Sequence, residues 1–343
     1  MRYIGSKHLL LNQIQQVVEK HAVGAKTFCD IFSGTACVAR HFKQFFEVYS
    51  NDLLYFSYCL QRGTIENDSI PSFKAVCDKC GFANPIDYLN SLNTSDMETL
   101  PKDRRLFQNS YSPSGGRMYI TDDNALRIDY ARNLIEEWQS SGLLSDDEYF
   151  YLVASVVEGI PFVSNISGTY GAYYKKWDGR SFKKFELQHL PIISNGKHNK
   201  CYNEEGIALL KKISGDVLYV DPPYNQRQYI SNYHVLETAA KYDFPDLKGV
   251  TGQREDNDKK SEFCVIRKVE SAFNDLMANA QFSHIILSYS TDGILPLEKI
   301  EEIMKRHGNS DTFEMVEVPY RRFNSHGSSK RPVLKELIFY IAK

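Results

Sequence analysis

Asp221, Pro222, Pro223 and Tyr224 follow directly on Val217, Leu218, Tyr219 and Val220. The apolar, β-rich run has no polar alternation, which predicts a strand covered on both faces. The prolines end it, because neither offers an N–H, each holds φ near about −65°, and Pro223 pushes Pro222 out of the helical region. An acid and a carbonyl are thus set on a stiff, extended backbone beside an aromatic ring. For an isolated Asp-Pro-Pro, a strand followed by a turn acid is the plainer reading.

The elements that must position these residues come from the rest of the chain. Its 343 residues suggest roughly two domains, and 42% hydrophobic with 24% charged residues is ordinary soluble composition. No window approaches 18 consecutive apolar residues, and the opening MRYIGSKHLLLNQI has neither an h-region nor a small-residue cleavage site. A cytosolic protein without membrane association is expected. Seven irregularly spaced cysteines read as free thiols. Cys77 and Cys80 form the single C-x-x-C and lack a second ligand pair, so no metal is expected. A net charge of −2 gives no global sign of a nucleic-acid partner, although a local basic stripe would suffice for one.

Residues 27–32 read as a strand, Ser33-Gly34-Thr35 as a tight turn, and Val38, Phe42 and Phe45 or Phe46 as one face of a helix. Residues 47–52 and then 53–62 repeat strand and helix. Further on come the strand at 217–220, a helix around 234–241, a strand at 284–290, a helix at 297–308 and two last strands, FEMVEVPY and ELIFYIA. This alternation predicts an α/β fold with a doubly wound, mostly parallel, Rossmann-like sheet. Residues 55–199 break the rhythm and read as an inserted domain between two parts of a catalytic one, 1–54 and 200–343. Within the insertion, 165–185 interleaves Lys175, Lys176, Arg180, Lys183 and Lys184 with Tyr170, Tyr173, Tyr174, Trp177, Phe182 and Phe185. Such a mixture suits phosphates and bases; a solvated lysine-rich loop is the plainer reading of the stretch taken alone.

In a doubly wound sheet, ligands sit beyond the carboxyl ends of the strands. Asp30-Ile31-Phe32-Ser33-Gly34-Thr35-Ala36 offers a glycine where backbone must come close to a cofactor, without the full G-x-G-x-x-G. Asp52 follows about 20 residues on, a spacing suited to ribose hydroxyls. It can also serve as a helix N-cap.

Asp-Pro-Pro-Tyr after an apolar strand, D-x-F-x-G-x-A, Asn51-Asp52 after the second strand and the opening R-Y-I-G-S-K together resemble the Dam-like, alpha-order group of adenine-specific DNA methyltransferases that use S-adenosylmethionine. The motifs stand in the family's order and span both ends of the chain. The resemblance implies that Tyr3 and Lys7 meet the methionine end of the cofactor, and that Asp30, Phe32, Gly34 and Ala36 form its glycine loop. Ala36 departs from a more usual glycine. Asp52 would take the ribose hydroxyls and Asn203 and Glu205 the adenine end, with Asp commoner where Glu205 stands. Catalysis would rest on Asp221, Pro222 and Tyr224, with Asp221 also beside the cofactor. Hydrogen bonds from the target amine to the Asp221 carboxylate and the Pro222 carbonyl would favour a pyramidal nitrogen whose lone pair faces the methyl, a case of preorganisation.

The target base would be flipped out of a double-stranded DNA substrate. Phe323, with Tyr320 in reserve, would pack against it, flanked by Arg321, Arg322, Lys330 and Arg331. The insertion would be the target-recognition domain, with Lys175, Lys176 and Arg180 on DNA. Gln226, Arg227, Tyr229, Tyr233, His234 and Glu237 resemble a branch of the group and could order the catalytic loop, although a histidine at a helix start is more often simply satisfied there. The rivals are transfer to the cytosine amine, where Ser usually replaces the leading Asp, transfer to RNA, and a DNA-binding specificity subunit without catalysis. Intact Tyr3, Lys7, Asp52 and Asp221 argue against the last. A separate restriction endonuclease is a possible companion; no nuclease constellation is visible in the chain itself.

Overall fold

The computed structural model describes residues 7–319 and 335–343. Two compact units emerge: Lys7–Leu53, Lys197–Tyr229 and Lys260–Lys343 form one, and Leu54–Gly196 with Ile230–Lys259 forms the other.

The first unit is built on a sheet of seven strands: β1 (Thr27–Asp30), β2 (Glu47–Asn51), β3 (Lys200–Tyr202), β4 (Ser214–Val220), β5 (Gln281–Ser290), β6 (Glu314–Pro319) and β7 (Lys335–Ala342). Their order is β3-β2-β1-β4-β5-β7-β6. The first five are parallel, while β7 runs antiparallel to both β5 and β6. The mostly parallel, doubly wound expectation therefore holds, with the order reversing between β1 and β4. Central strands of such a sheet are covered on both faces, and Val217, Leu218, Tyr219 and Val220 are all buried. On one face Leu218 and Val220 join Leu276, Met277, Ile285, Leu287, Ile300 and Phe339 in a continuous core. On β1, Phe28 stacks on Phe42 at 4.1 Å and meets Phe46 at 5.9 Å. Each such large apolar side chain contributes on the order of 1.5–3 kcal/mol by leaving water.

The helix after the first turn is Cys37–Phe42, shorter than expected, although Phe46 still packs inward. Strand β3 was not anticipated, being a three-residue edge strand, K-C-Y, with one buried side chain. Nor were the helices Leu11–His21 and Val269–Asn279.

The second unit is helical. Asp122–Ser140 and Asp146–Val163 are joined by a five-residue turn, 141–145, and Ser145 with Glu148 forms a capping box at the start of the second helix. Arg132 is fully buried and donates to the carbonyls of Ala239 at 2.8 Å and Ala240 at 3.2 Å, closing the carboxyl end of the helix Tyr229–Lys241. Glu237, also fully buried, accepts from the N–H groups of Tyr55 and Phe56 at the start of the helix Tyr55–Gln61.

Residues 230–259 group with 54–196 and not with the sheet, because Glu237 and the carbonyls of Ala239 and Ala240 find their partners there. His234 belongs to the same network. Its Nε2 lies 2.8 Å from the Thr251 carbonyl, and its Nδ1 lies 3.2 Å from the Ser231 carbonyl and 3.3 Å from Gln253 Nε2. Burial lowers its pKa to about 4. His234 is thus a satisfied core residue.

Candidate active site

β1 and β4 are the neighbours from which strand order departs in both directions, and Asp30 and Asp221 stand at their carboxyl ends. Asp221 Oδ1 lies 3.1 Å from Lys7 Nζ, and Lys7 Nζ lies 3.4 Å from Glu336 Oε2. Glu336 is the second residue of β7, in register with Ser290 at the end of β5. Two carboxylates from different strands therefore share one ammonium, which is only 4% exposed. Burial pushes the Asp221 carboxyl up to about 6; Lys7 pulls it down and Glu336 pushes it up. Burial works against the charge on Lys7 too, but Asp221, Glu336 and Tyr224 outweigh it and hold the ammonium well above its ordinary pKa.

The Tyr224 ring centre lies 5.5 Å from Lys7 Nζ and meets Tyr289 edge-on at 6.1 Å. Its carbonyl accepts from the Ile294 N–H at 3.0 Å, and the Tyr289 hydroxyl accepts from the Leu295 N–H at 3.0 Å. Gly293 is required between them, since a Cβ there would fall 2.1 Å from the Tyr289 ring. Burial raises the Tyr224 phenol to about 12, so the ring faces a ligand neutral. Beyond it, the Gln228 side chain both donates to the Ser261 carbonyl (3.0 Å) and accepts from the Ser261 N–H (2.8 Å), fixing the chain that follows the prolines.

The turn after β1 places Gly34 at φ +51° and Ala36 at φ +59°, both left-handed. A glycine meets no penalty there and an alanine does, which gives a physical reason for glycine at the position of Ala36. Asp52 Oδ2 accepts from the Gly34 N–H at 2.9 Å. The N-cap of the following helix is Leu54, so Asp52 acts on the turn and not as that cap. Asn51 is buried and its amide donates to the carbonyls of Ile31 and Glu204, both at 3.1 Å, while its oxygen accepts from the Glu204 N–H. Asn203 donates to the carbonyls of Asp52 at 2.8 Å and Leu53 at 3.1 Å. Glu205 caps the helix Gly206–Leu210 through the N–H groups of Ile207 and Ala208. Phe32 packs edge-on against Phe263 at 5.3 Å.

Asp30 Oδ2 accepts from the Ala39 N–H at 3.2 Å, whereas Asp30 Oδ1 and Ser33 Oγ are buried without a hydrogen-bond partner. Burial raises the Asp30 carboxyl to about 7, Asp221 and Asp52 pushing the same way; the nearby Ser33 hydroxyl tempers this without a hydrogen bond of good geometry. Two buried oxygens without partners beside a left-handed glycine turn suit a ligand that brings its own donors.

Lys7, Asp30, Phe32, Gly34, Asp52, Asn203, Glu205, Asp221, Pro222 and Tyr224 all lie in the sheet unit, around the ends of β1, β2, β3 and β4. A model of the D12 class N6 adenine-specific DNA methyltransferases matches residues 3–303. The chain belongs to this family. It is 46% identical over its whole length to the type II methyltransferase M.FokI of Planomicrobium okeanokoites, and 43% identical to the modification methylase StsI of Streptococcus sanguinis. It spans about half the length of each, 53% and 52%. The type II methyltransferase M.NlaIII of Neisseria lactamica is 34% identical over 96% of this chain and 95% of its own.

In this D12 methyltransferase chain Tyr3, Tyr320 and Phe323 lie outside the described residues. Lys175, Lys176 and Arg180 stand in the helical unit. The two lysines are exposed. Arg180 is turned inward, donating to the Ile166 carbonyl and pairing with Asp178 at 3.4 Å. Buried Asn165 organises the stretch, donating to the carbonyls of Met118 and Tyr174 and accepting from the Asp178 N–H. Among the described residues no three His, Cys, Asp or Glu side chains are grouped to hold a metal ion, and no helix is long and apolar enough to cross a membrane. Glu336 and Tyr289 are not singled out by the sequence. Glu336 had a signal, an acid immediately before the apolar run L-I-F-Y-I-A.

Proposed function

We propose that the chain transfers a methyl group from S-adenosylmethionine to the exocyclic amine of adenine in double-stranded DNA. The observation that carries this is the Asp221 carboxylate, fixed by Lys7 at 3.1 Å on the strand end where the sheet order reverses, with the Tyr224 ring beside it. Asp30, Phe32, Gly34, Asp52, Asn203 and Glu205, with Tyr3 and Lys7, would hold the cofactor; the buried Asp30 and Ser33 oxygens without partners fit its donor groups. When bound, the cofactor supplies the methyl as an electrophilic carbon on a sulfonium, and the electron pair of the breaking C–S bond stays on sulfur.

Asp221 and the Pro222 carbonyl accept the two amine hydrogens and hold the nitrogen lone pair out of the ring plane. Tyr224 stacks on the base, with Phe323 or Tyr320 on the substrate side. No covalent enzyme intermediate is needed, so positioning supplies the acceleration. Taking the base out of the duplex costs on the order of a few kcal/mol. The helical unit reads the target, Lys175 and Lys176 meeting phosphates. As the relatives' names suggest, the chain would serve the modification side of a restriction–modification system, in the cytoplasm on DNA, with any cognate endonuclease acting separately.

Incubation of duplex DNA with tritiated cofactor, followed by nucleoside analysis, tests this. Label on adenine at the amine nitrogen is expected, and its loss in Asp221→Ala with folding retained. Label on cytosine, in RNA, or nowhere refutes the reading.

A further inference from the structure

Glu336 is a buried acid, 7% exposed, at the head of a strand whose next five side chains are buried and apolar. A carboxylate in such a place carries a desolvation cost that an apolar residue would avoid. Its Oε2 lies 3.4 Å from the same ammonium that Asp221 meets at 3.1 Å. With Lys7 and Asp221 alone, one buried cation would face one buried anion. An opposite charge this close lowers a carboxyl pKa by about 1–3 units and occupies the lone pairs that a substrate amine must reach. With Glu336 present, the ammonium is divided between two acids.

We propose that Glu336 is a positioning residue for methyl transfer: by sharing Lys7 it keeps Asp221 available to the substrate amine and able to take a proton from it. This rests on the reading of Asp221 given above. Once the nitrogen lone pair has formed its bond to the methyl carbon, the nitrogen carries a positive charge and must release one proton. The Asp221 carboxylate accepts it, becomes neutral, and returns it to solvent when product leaves. An aspartate at its ordinary pKa of about 3.9 is a poor proton acceptor. The direction in which Glu336 acts on Asp221 is upward. Among the described residues, the other titratable groups that act on the pair include Tyr224 after β4, Tyr219 within β4 and Asp30 at the end of β1, with Asp292 after β5 acting on Tyr224. None of them makes an ion pair with Lys7 among the described residues; the two that do are Asp221 and Glu336.

The test is Glu336→Gln in the full chain, read in two ways. One is the pH profile of kcat/KM for methyl transfer to duplex DNA. The other is the carbon-13 titration of the Asp221 carboxyl without substrate or cofactor, its signal identified by its loss in Asp221→Asn. The expected result is a shift of the acid limb and of the titration midpoint to lower pH by about one unit, with a plateau kcat reduced roughly tenfold. Glu336→Asp, which keeps the charge, should fall between the two. A midpoint that stays in place or rises overturns the proposal, whatever happens to the plateau, since a merely structural role would lower activity without moving it. If Glu336→Gln does not fold, the Glu336→Asp titration decides by the same criterion. Absence of methyl transfer by the wild-type chain would instead refute the reading of the site, and the titration would still decide whether Glu336 acts on Asp221.

Discussion

The Asp52 carboxylate accepts a hydrogen bond from the Gly34 N–H at 2.9 Å, so the acid at the end of β2 closes the turn at the end of β1. One side chain thus shapes the glycine loop and is also the residue proposed to meet the cofactor ribose. Asp52→Ala removes an acceptor from the turn and should cost about 1–2 kcal/mol of stability. Affinity for S-adenosylhomocysteine should fall by roughly tenfold or more, because the loop and the proposed ribose contact fail together. Titration calorimetry beside denaturant unfolding separates the two effects, and unchanged affinity would remove Asp52 from the cofactor site.

Ala36 gives a sharper test of the same loop. At φ +59° an alanine carries roughly 1–2 kcal/mol of strain that glycine does not. Ala36→Gly gives up one buried methyl, about 1 kcal/mol, and some chain entropy, so stability should stay within about 1 kcal/mol of wild type. Ala36→Val adds volume at a fully buried site and places a branched side chain in the left-handed region. A loss of more than about 2 kcal/mol is expected there. Equal unfolding midpoints for the Gly and Val variants would contradict the strained turn.

Asn51 extends the argument to a third strand end. Its amide binds both the Ile31 and the Glu204 carbonyls, joining the loops after β1 and β3 from the end of β2. Asn51→Asp is nearly isosteric but puts an acceptor against two carbonyls. It should destabilise by about 2–3 kcal/mol, more than Asn51→Ala relative to the volume removed. Thermal unfolding of the two variants measures the difference.

Legibility in the sequence followed the strength of each local constraint. The strand at 217–220 and its end were readable because buried parallel strands are uniformly apolar and two prolines cannot be mistaken. Strand β3 was not, since three residues at a sheet edge carry no period. The grouping of 230–259 with 54–196 is not legible locally, because the helix expected around 234–241 reads like any other helix of the sheet domain. Its true partners, Tyr55, Phe56 and Arg132, are about 100 to 180 residues away in the chain. Asp221, Lys7 and Tyr224 are named by motifs in the sequence; Glu336 is not, because an acid opening an apolar strand reads as a solvated strand end until Lys7 is seen against it.

His234 predicts a pH dependence of stability. Its folded pKa, near 4, lies below the ordinary value of about 6.5. The unfolded chain therefore binds the extra proton first. The stabilisation is complete above about pH 6.5 and is lost as pH falls towards 4. His234→Gln can still donate to the Thr251 carbonyl and does not titrate, so it should flatten this part of the curve. Melting temperatures between pH 4.5 and 7.5 check it, and an equally steep acid loss in both proteins would move the cause elsewhere.

Lys175, Lys176 and Arg180 are neighbours in sequence with different physical situations, and DNA binding should separate them. The lysines are exposed, whereas the Arg180 guanidinium is already bonded to the Ile166 carbonyl and Asp178. A lysine that neutralises a phosphate releases counterions, so each Lys→Ala should weaken duplex binding and lower the slope of log K against log salt by about 0.9. The weakening should be similar for cognate and unrelated duplexes, since phosphate contacts carry no sequence information. Arg180→Ala should leave that slope within error and lower the unfolding midpoint, because it strips a buried carbonyl of its donor. A changed slope for Arg180→Ala with unchanged stability would mean that the guanidinium leaves its internal partners to meet DNA.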